Sequence, residues 1–382
     1  MHSASAEQSR HWVAIFAVDL AQFSCAKHLL VAQTNRYNSG MSHVTLRNIA
    51  EDLHVSIGTV SRALRGAGDI SDELKSRVRE AGQRLGYRRT RPAGRRRKRT
   101  NAFAVIVPDV TSPLLALAMR GILDIAFRHG FVVHLSETRG QQFRQDEYLE
   151  RMLGRGIDGV IIDPVARDDG RMLQEVHDRR IPLVVFDRQG PNFEGHFVGN
   201  DNVLGGRLAT EHLIREGFQR VGLVQGPLVW SICRERRQGY IQALVEAGRP
   251  FDPELVVEAE AFRAQLGLEA TRQLLERQPD IDALFIMSDM LAVGALRYIQ
   301  LSGRWERRRV AVVGFADIPL AEYLTVSLST IHQEGFQLGQ EACHLLVRLL
   351  ENKFPPEGLL KITMPVKLVV RESSRRLATR AR

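Results

Sequence analysis

The stretch VTLRNIAEDLHVSIGTVSRAL, residues 44–64, predicts two short helices joined by a tight turn. Apolar residues recur at helical spacing in TLRNIAEDL and again in SIGTVSRAL, so each segment has one face to bury. Ser56 is a good N-cap for the second helix, and Ser71 is one for a third helix that runs toward Tyr87. Residues 41–87 are therefore expected to form a three-helix unit around one small core, whose first two helices have the length and turn of a helix-turn-helix.

The positive charge of the chain is concentrated in and beside this unit. All 382 residues carry a formal net charge of +9. Residues 41–99 alone hold 15 basic and six acidic residues, which gives the same +9, so the rest of the chain is neutral. From Arg88 to Arg99 there are seven arginines, one lysine and no acidic residue. A basic module attached to a neutral body predicts a unit that binds a polyanion.

Beyond Asn101 the sequence alternates between apolar runs and helical segments. Apolar runs without alternating polar residues are typical of strands covered on both faces, and hence of a parallel sheet. Such repetition predicts a doubly wound α/β architecture, with GNDNVLGG (199–206) as a crossover between two lobes. The predicted strands are AFAVIVP (102–108), FVVHLSE (131–137), GVIID (159–163), PLVVFD (182–187), VGLVQG (221–226), ALFIMSD (283–289) and VAVVGF (310–315).

Several classes of protein are disfavoured by composition. No window approaches the 18 or more consecutive apolar residues of a membrane span. WVAIFAVDL (12–20) is interrupted by an acid and lacks a cleavage site, which argues against a signal peptide. Cys25, Cys233 and Cys343 fit neither a disulfide framework nor a zinc site, so we expect a reducing cytoplasm. Residues 1–40 show no sustained period and are either an extension upstream of the true start, Met41, or a poorly ordered arm.

Enzyme motifs are weak. The sequence GRGIDG (154–159) matches G-x-G-x-x-G but precedes a predicted strand instead of following one, so it does not predict a dinucleotide site. The chain contains no Walker loop, G-x-S-x-G, C-x-x-C or H-E-x-x-H, and its 12 histidines are scattered. No catalytic residue, cofactor or metal site is therefore predicted.

The stretches at 44–64 and 70–87 together resemble the DNA-binding headpiece of the lactose/galactose-repressor (LacI/GalR) family, and the likeness continues to about Arg371. It implies that the second helix enters the major groove, where an arginine can bond guanine bidentately and an isoleucine can contact a thymine methyl. His54 stands in the turn where the family often has glycine, and histidine tolerates the left-handed conformation better than most residues. The resemblance assigns base reading to Ile57, Gly58 and Arg62, flanking positions to Thr59 and Ser61, and phosphate contacts to Thr45, Ser56 and Arg65.

The connector departs from the family. The resemblance implies that residues 88–101 become a hinge helix on DNA, with a leucine wedged into the minor groove. This connector has no leucine, and Pro92 and Gly94 weaken a helix. We predict an electrostatic hinge instead, whose Arg95 and Arg96 follow phosphates or enter a narrow minor groove.

The α/β part resembles the family's effector core, which is similar to periplasmic sugar-binding proteins: two lobes close on a small ligand at the carboxyl ends of the strands. Carboxylates, arginines and an aromatic ring suit a hydroxylated ligand, although each carboxylate taken alone could equally be a helix N-cap. Ala316 replaces an aspartate that is common in the family, which makes a sugar less certain than the fold. The candidate effector residues are Asp163, Asp187, Arg188, Arg236, Phe262, Ser288, Asp289 and Gln333.

Together these features predict a cytoplasmic transcriptional regulator, acting as a repressor, which binds a pseudo-palindromic double-stranded DNA operator as a homodimer. A small-molecule effector, a sugar or sugar derivative, is expected to control that binding. The alternatives are a solute-binding or sensory sugar receptor without DNA function, and a sugar-metabolising enzyme. The expected segments are an N-terminal extension (1–40), the headpiece (41–87), the hinge (88–101) and the core (102–375), with lobe 1 at about 102–200 and 333–362 and lobe 2 at about 201–332 and 363–375.

Overall fold

The computed structural model describes residues 45–64, 69–85, 99–307, 310–351 and 358–376. The chain forms two units, residues 1–95 and 96–382. Several sequence-based predictions concern residues outside the described ranges: the N-terminal extension (1–40), the hinge arginines Arg95 and Arg96, and the phosphate contact of Arg65.

In the first unit, three helices surround one small core, as predicted. They are α1 (Leu46–Asp52), α2 (Ile57–Leu64) and α3 (Asp72–Leu85). Each helix contributes apolar residues from one face, which is the outcome that the helical spacing requires. The buried core consists of Ile49, Ala50, Val60, Ala63, Val78 and Ala81.

Local hydrogen bonds set where the second and third helices begin. The Thr59 backbone N–H donates to Ser56 Oγ at 3.0 Å, and the Leu74 N–H donates to Ser71 Oγ at 3.4 Å, so both serines cap as predicted. Between α1 and α2 the chain turns at His54, whose φ of 55° is left-handed. This non-glycine residue therefore takes the conformation that the turn needs.

In the second unit, the described residues form twelve strands and nine helices. The strands are β1 (Ala102–Val107), β2 (Val132–Glu137), β3 (Gly159–Ile162), β4 (Leu183–Phe186), β5 (His196–Asn200), β6 (Val221–Gln225), β7 (Val256–Glu258), β8 (Ala283–Ile286), β9 (Ala311–Ala316), β10 (Ser329–Gln333), β11 (Lys361–Met364) and β12 (Val366–Val369). The helices are α4 (Pro113–Arg128), α5 (Gln142–Arg155), α6 (Arg171–Asp178), α7 (Asn202–Arg215), α8 (Ser231–Glu246), α9 (Ala264–Arg277), α10 (Asp289–Leu301), α11 (Arg304–Arg307) and α12 (Gly335–Leu350).

These strands build two six-stranded sheets, one in each lobe. The order is β11-β5-β4-β3-β1-β2 in lobe 1 and β12-β10-β9-β8-β6-β7 in lobe 2. Every pairing is parallel except that of β12 with β10, which is antiparallel. All six residues of β1 are buried, because helices cover both faces of the sheet. The predicted doubly wound architecture is confirmed.

The chain crosses between the sheets three times. It passes from β5 to α7 at Asp201, from β10 to α12 at Glu334, and from β11 to β12 at Pro365. The expected lobe boundaries differ slightly, because β10 still includes Gln333 and β11 continues to Met364. Since all three crossings follow the carboxyl ends of strands, polar residues from both sheets are brought to one edge.

The two lobes touch at this edge. The Gln189 backbone N–H, just after β4, donates to Ser231 Oγ at the start of α8 at 3.1 Å. The space between the strand ends of lobes 1 and 2 is called the interlobe cleft below. Within the described part of the chain, no helix is both long and apolar enough to cross a bilayer.

Candidate functional site

Helix α2 presents one face to its core and another to the outside. Val60 and Ala63 are buried, whereas Ile57 is 48% exposed and Arg62 is also exposed. A Cβ added to Gly58 would meet only Ser56 Oγ, at an ordinary 3.7 Å, so the headpiece itself does not require glycine there. The predicted base-reading residues therefore lie on a surface that is available to an outside partner.

The hydroxyl groups around α2 already have internal partners. Thr45 donates both its backbone N–H and its Oγ1 hydrogen to Asn48 Oδ1, each at 2.8 Å. Ser56 Oγ lies 2.8 Å from Thr59 Oγ1, besides its capping bond. The predicted phosphate contacts of Thr45 and Ser56 would thus have to displace or share these internal hydrogen bonds, which limits the binding energy that the two residues can add.

Arg62 has a partner that the sequence did not reveal. Its Nη1 lies 2.9 Å from Asp69 Oδ2, in the segment that precedes α3. In the sequence, the GAGD segment (66–69) breaks the helical spacing between the second and third predicted helices. Nothing in the sequence pattern pairs residues that lie seven positions apart across such a break.

In lobe 1, two predicted effector residues bind each other. Arg188 donates from Nε to Asp163 Oδ1 at 2.8 Å and from Nη2 to Oδ2 at 2.6 Å. Asp163 is fully buried, and burial raises the pKa of its carboxyl to about 7 although the Arg188 guanidinium opposes that rise. The Arg188 guanidinium also lies over the ring of Trp230 in lobe 2, 5.1 Å from its centroid. The pair therefore stands at the contact between lobes.

Asp187 is the least satisfied charged group of the cleft. It is buried, it has a left-handed φ of 60°, and its Oδ1 has no hydrogen-bond partner. Burial raises the pKa of its carboxyl, while the charges of Arg188 and Arg236 act in the opposite direction. A strained residue with an unpaired oxygen at a strand end is typical of a position kept for a ligand.

Arg236 enters the cleft from α8 in lobe 2. Its Nε donates to Asn202 Oδ1 at 2.9 Å and its Nη1 to the Met287 carbonyl at 2.6 Å, and its guanidinium lies 3.7 Å from the Phe315 ring centroid. Asn202 also donates to Glu235 Oε2 at 2.9 Å. These contacts fix the guanidinium with part of its donor set still free for a ligand.

An aromatic pair lines the lobe 2 side. The rings of Phe262 and Trp230 meet edge to face, with centroids 5.1 Å apart. Phe262 was predicted as a stacking aromatic, and the structure adds Trp230, which the sequence analysis missed. Its signal was present in the sequence, since it directly precedes the helix that carries Arg236.

Asp289 does not fit its predicted role. Its Oδ1 accepts from Thr330 Oγ1 at 2.6 Å and its Oδ2 from the Ile318 N–H at 2.9 Å, and it is fully buried. We assign it to holding the segment after β9 against β10, because both oxygens are already used. Ser288 caps α10 by accepting from the Met290 N–H at 3.3 Å, whereas Asp289 is the first residue inside that helix and its carboxylate is not the cap.

Two further strand ends carry unpaired amides. Gln333, a predicted effector residue that ends β10, has a buried Nε2 without a partner, and Asn200, at the end of β5, has neither amide atom bonded. Asn200 was missed, although its place after an apolar run is the same signal that identified Asp163 and Asp187. Ala316, where the family's aspartate is absent, has a φ of 139°.

The cleft thus combines ligand-accessible polar groups with aromatic rings, and no cluster of metal-ligating side chains was found among the described residues. Nothing in this donor set resembles a nucleophile with its base. The arrangement is chemically suited to binding a small polar molecule rather than to transforming one.

Comparisons with known proteins agree with both parts of the chain. Residues 45–90 match the model for "Bacterial regulatory proteins, lacI family", and residues 100–369 match that for "Periplasmic binding proteins and sugar binding domain of LacI family". The ribose operon repressor of Halalkalibacterium halodurans is 31% identical over 332 residues, covering 87% of this chain and 97% of the relative.

Two solved structures are informative. A transcriptional regulator CelR–cellobiose complex has a TM-score of 0.67 and 31% identity, over 87% of this chain and 100% of that one. The lac repressor dimer bound to operator and the anti-inducer ONPF has a TM-score of 0.64 and 26% identity, again over 87% and 100%. The similarity therefore includes the headpiece as well as the two-lobed core.

Proposed function

This chain belongs to the LacI family of bacterial regulatory proteins, and from that premise we propose how it works. It is therefore a DNA-binding transcriptional regulator with a helix-turn-helix headpiece, and not an enzyme. The proposal is that α2 reads an operator and that a neutral, hydroxyl-rich molecule bound in the interlobe cleft controls the affinity for that operator. As a regulator of this kind acts on DNA, we place its action in the cytoplasm.

Arg62 is the residue expected to contribute most to the sequence specificity of DNA binding. A guanidinium can donate two hydrogen bonds to guanine O6 and N7, and Ile57 can contact a thymine methyl. Gly58 allows the backbone of α2 to approach the bases closely, a role favoured by the open space around it. Thr45, Ser56, Thr59 and Ser61 would then position the headpiece on the backbone, as most hydroxyl contacts to DNA do.

For the ligand, the charges of the cleft favour a neutral molecule. Asp163 and Arg188 neutralise each other, and Arg236 faces the carboxylates of Asp187 and Glu235. The set contains three carboxyl groups and two guanidinium groups, so its composition does not favour an anionic ligand. A sugar hydroxyl can donate to the unpaired Asp187 Oδ1, which is the observation that carries the proposal.

The aromatic pair and the relatives support a sugar. Trp230 and Phe262 offer apolar surface for the C–H face of a pyranose or furanose ring. The names of the relatives mention ribose and cellobiose, which brings both sugars into the first panel to be tested. Polar groups on both lobes would be satisfied only when the lobes are closed, so ligand binding is expected to favour the closed state.

We also propose a homodimer, as found for the related lac repressor. In lobe 1, the edge strand β2 and helix α4 expose Leu123, Phe127, Val132 and Leu135. Phe127 is 85% exposed, and such a cluster is typical of a protein interface. A dimer would present two headpieces, which suits a pseudo-palindromic operator.

A thermal-shift screen tests the ligand assignment. Ribose, other pentoses, hexoses, cellobiose, sugar acids and nucleosides are added separately to the full chain and the melting temperature is measured. We expect a neutral sugar to raise it in the natural sequence and in Arg62→Ala, but not in Asp187→Ala. If only anionic compounds raise it, or if Asp187→Ala responds as strongly as the natural sequence, the assignment is wrong.

A further inference from the structure

We propose that Asp69 is a positioning residue for the base-reading arginine of α2, and that it sharpens the choice of DNA sequence. The inference rests on the proposed role of Arg62. The pair joins Arg62 Nη1 to Asp69 Oδ2 at 2.9 Å. Both side chains are about half exposed, 49% and 55%, so the contact lies on the outer surface of the headpiece, not in its core.

The geometry leaves the reading edge of the arginine free. A guanidinium carries five N–H donors arranged as a fork. Asp69 engages Nη1. The Nε and Nη2 edge can still donate the two parallel hydrogen bonds that guanine O6 and N7 accept. The carboxylate therefore holds one side of the group while the other side reads the base.

The contact with Asp69 reduces the conformational entropy that Arg62 loses when it binds a base. A free arginine side chain samples many rotamers, and fixing it on a base loses that freedom. When Asp69 already restricts the guanidinium, part of this loss occurs before DNA binds, which favours the specific complex. The restriction gives no benefit where the base offers no matching acceptors.

The negative charge acts on the non-specific complex in the opposite direction. Phosphate attracts an unpaired arginine anywhere on DNA, and this sequence-independent attraction is the main source of non-specific binding. Asp69 screens the charge of Arg62 and is itself repelled by phosphate. It therefore weakens non-specific DNA binding while leaving the directional bonds to guanine intact. Its main effect is on the ratio of specific to non-specific affinity, not on the affinity for DNA as such.

The expected size of the effect is modest. Exposed ion pairs contribute little, so we expect Asp69→Ala to reduce the ratio of specific to non-specific affinity by about three- to fivefold. Arg62→Ala should reduce the same ratio by about tenfold or more, because a bidentate guanine contact is lost. Asp69→Asn keeps an acceptor oxygen without the charge, so its ratio should lie between those of the natural sequence and Asp69→Ala.

The test uses the full chain and a duplex selected with it from a random pool. Dissociation constants are measured by fluorescence anisotropy for this duplex, for a shuffled one and for variants changed at single base pairs. Arg62→Ala, Asp69→Ala and Asp69→Asn are compared with Asp72→Asn, which removes the same charge from a side chain that is 98% exposed and paired with Lys75 instead. Melting temperatures show whether each variant is folded.

We expect Asp69→Ala to lose discrimination at the same base pair as Arg62→Ala, with Asp72→Asn unchanged. If Arg62→Ala loses discrimination there but Asp69→Ala keeps it or gains it, Asp69 does not position the reader. If Arg62→Ala itself keeps full discrimination, the assignment of Arg62 as reader fails first. A uniform loss on all duplexes in Asp69→Ala would indicate a structural role and would also overturn the inference.

Discussion

Arg188 and Asp163 are joined by two hydrogen bonds, from Nε to Oδ1 at 2.8 Å and from Nη2 to Oδ2 at 2.6 Å. The pair links the ends of β4 and β3, and the guanidinium continues to the ring of Trp230 in the other lobe. Because Asp163 is fully buried, each charge is stabilised mainly by its partner and would be costly to leave unpaired. This relationship places a structural ion pair within the cleft that is proposed to bind a ligand.

Removing one member of this pair should destabilise the protein strongly. In Asp163→Ala the Arg188 guanidinium stays buried without a partner, so we expect the free energy of unfolding to fall by about 3 kcal/mol or more. Urea denaturation measures the change. The double variant Asp163→Leu with Arg188→Met should lose less than the single one, since no charge remains unpaired. An unchanged urea midpoint for Asp163→Ala would show that the pair is not needed.

The position of Arg236 should depend on a close crossing of two helices. A Cβ at Gly239 of α8 would lie 2.1 Å from the Val203 carbonyl oxygen of α7, so Gly239→Ala must push the helices apart. We expect a lower melting temperature and about tenfold weaker effector binding, since Arg236 lies one turn earlier on α8. Gly154→Ala is the control, because nothing lies within 4 Å of its added Cβ. If Gly239→Ala binds the effector with unaltered affinity, this helix crossing does not position Arg236 for the ligand, and the prediction is wrong.

A charge on the exposed surface of lobe 1 should prevent dimerisation. Phe127 is 85% exposed on α4, beside the edge strand β2, and Phe127→Glu would place an unpaired carboxylate in the proposed interface. Sedimentation velocity is expected to show a dimer for the natural sequence and a monomer for the variant. Val245→Glu, a residue 62% exposed on α8, is the matched control and should remain dimeric. A dimeric Phe127→Glu would place the interface elsewhere.

The arginine run should contribute to DNA affinity through salt-dependent contacts. Each phosphate that it neutralises adds about 0.9 to the magnitude of the negative slope of log affinity against log salt. Replacing the four basic residues 95–98 by glutamine should therefore flatten the slope by up to about 3.6, and an unchanged slope would indicate that the run is only a linker. The matched control replaces four exposed arginines of the body, Arg151, Arg155, Arg272 and Arg297.

Much of the fold was predictable because it follows local patterns. Apolar runs such as GVIID become strands buried on both faces, and the caps at Ser56 and Ser71 depend only on neighbours in sequence. Asp163 and Asp187 stand at the ends of predicted strands, and the carboxyl ends of parallel strands meet at one edge. Periodicity was therefore sufficient for the architecture, whereas the candidate cleft residues came from the family resemblance together with their places near strand ends.

Partners distant in sequence could not be predicted in this way. Asp289 has the same strand-end signal as Asp187, but Thr330 and Ile318 use both of its oxygens, while Asp187 keeps one unpaired. Asp69 likewise pairs with Arg62, although seven positions separate them in the sequence. Which polar group is free for a ligand depends on these long-range contacts, and a single sequence does not encode them in any local pattern.

The central proposal is that a sugar in the interlobe cleft changes the affinity for the operator, and one titration tests it directly. A labelled operator duplex is titrated with the full chain, with and without the sugar that raises its melting temperature, and the anisotropy gives Kd. We predict a change of about tenfold or more for the natural sequence, typical of an allosteric coupling. Asp187→Ala should bind the duplex equally well but show no change with the sugar. A sugar that stabilises the natural protein yet leaves its Kd for the operator unaltered would contradict the proposal.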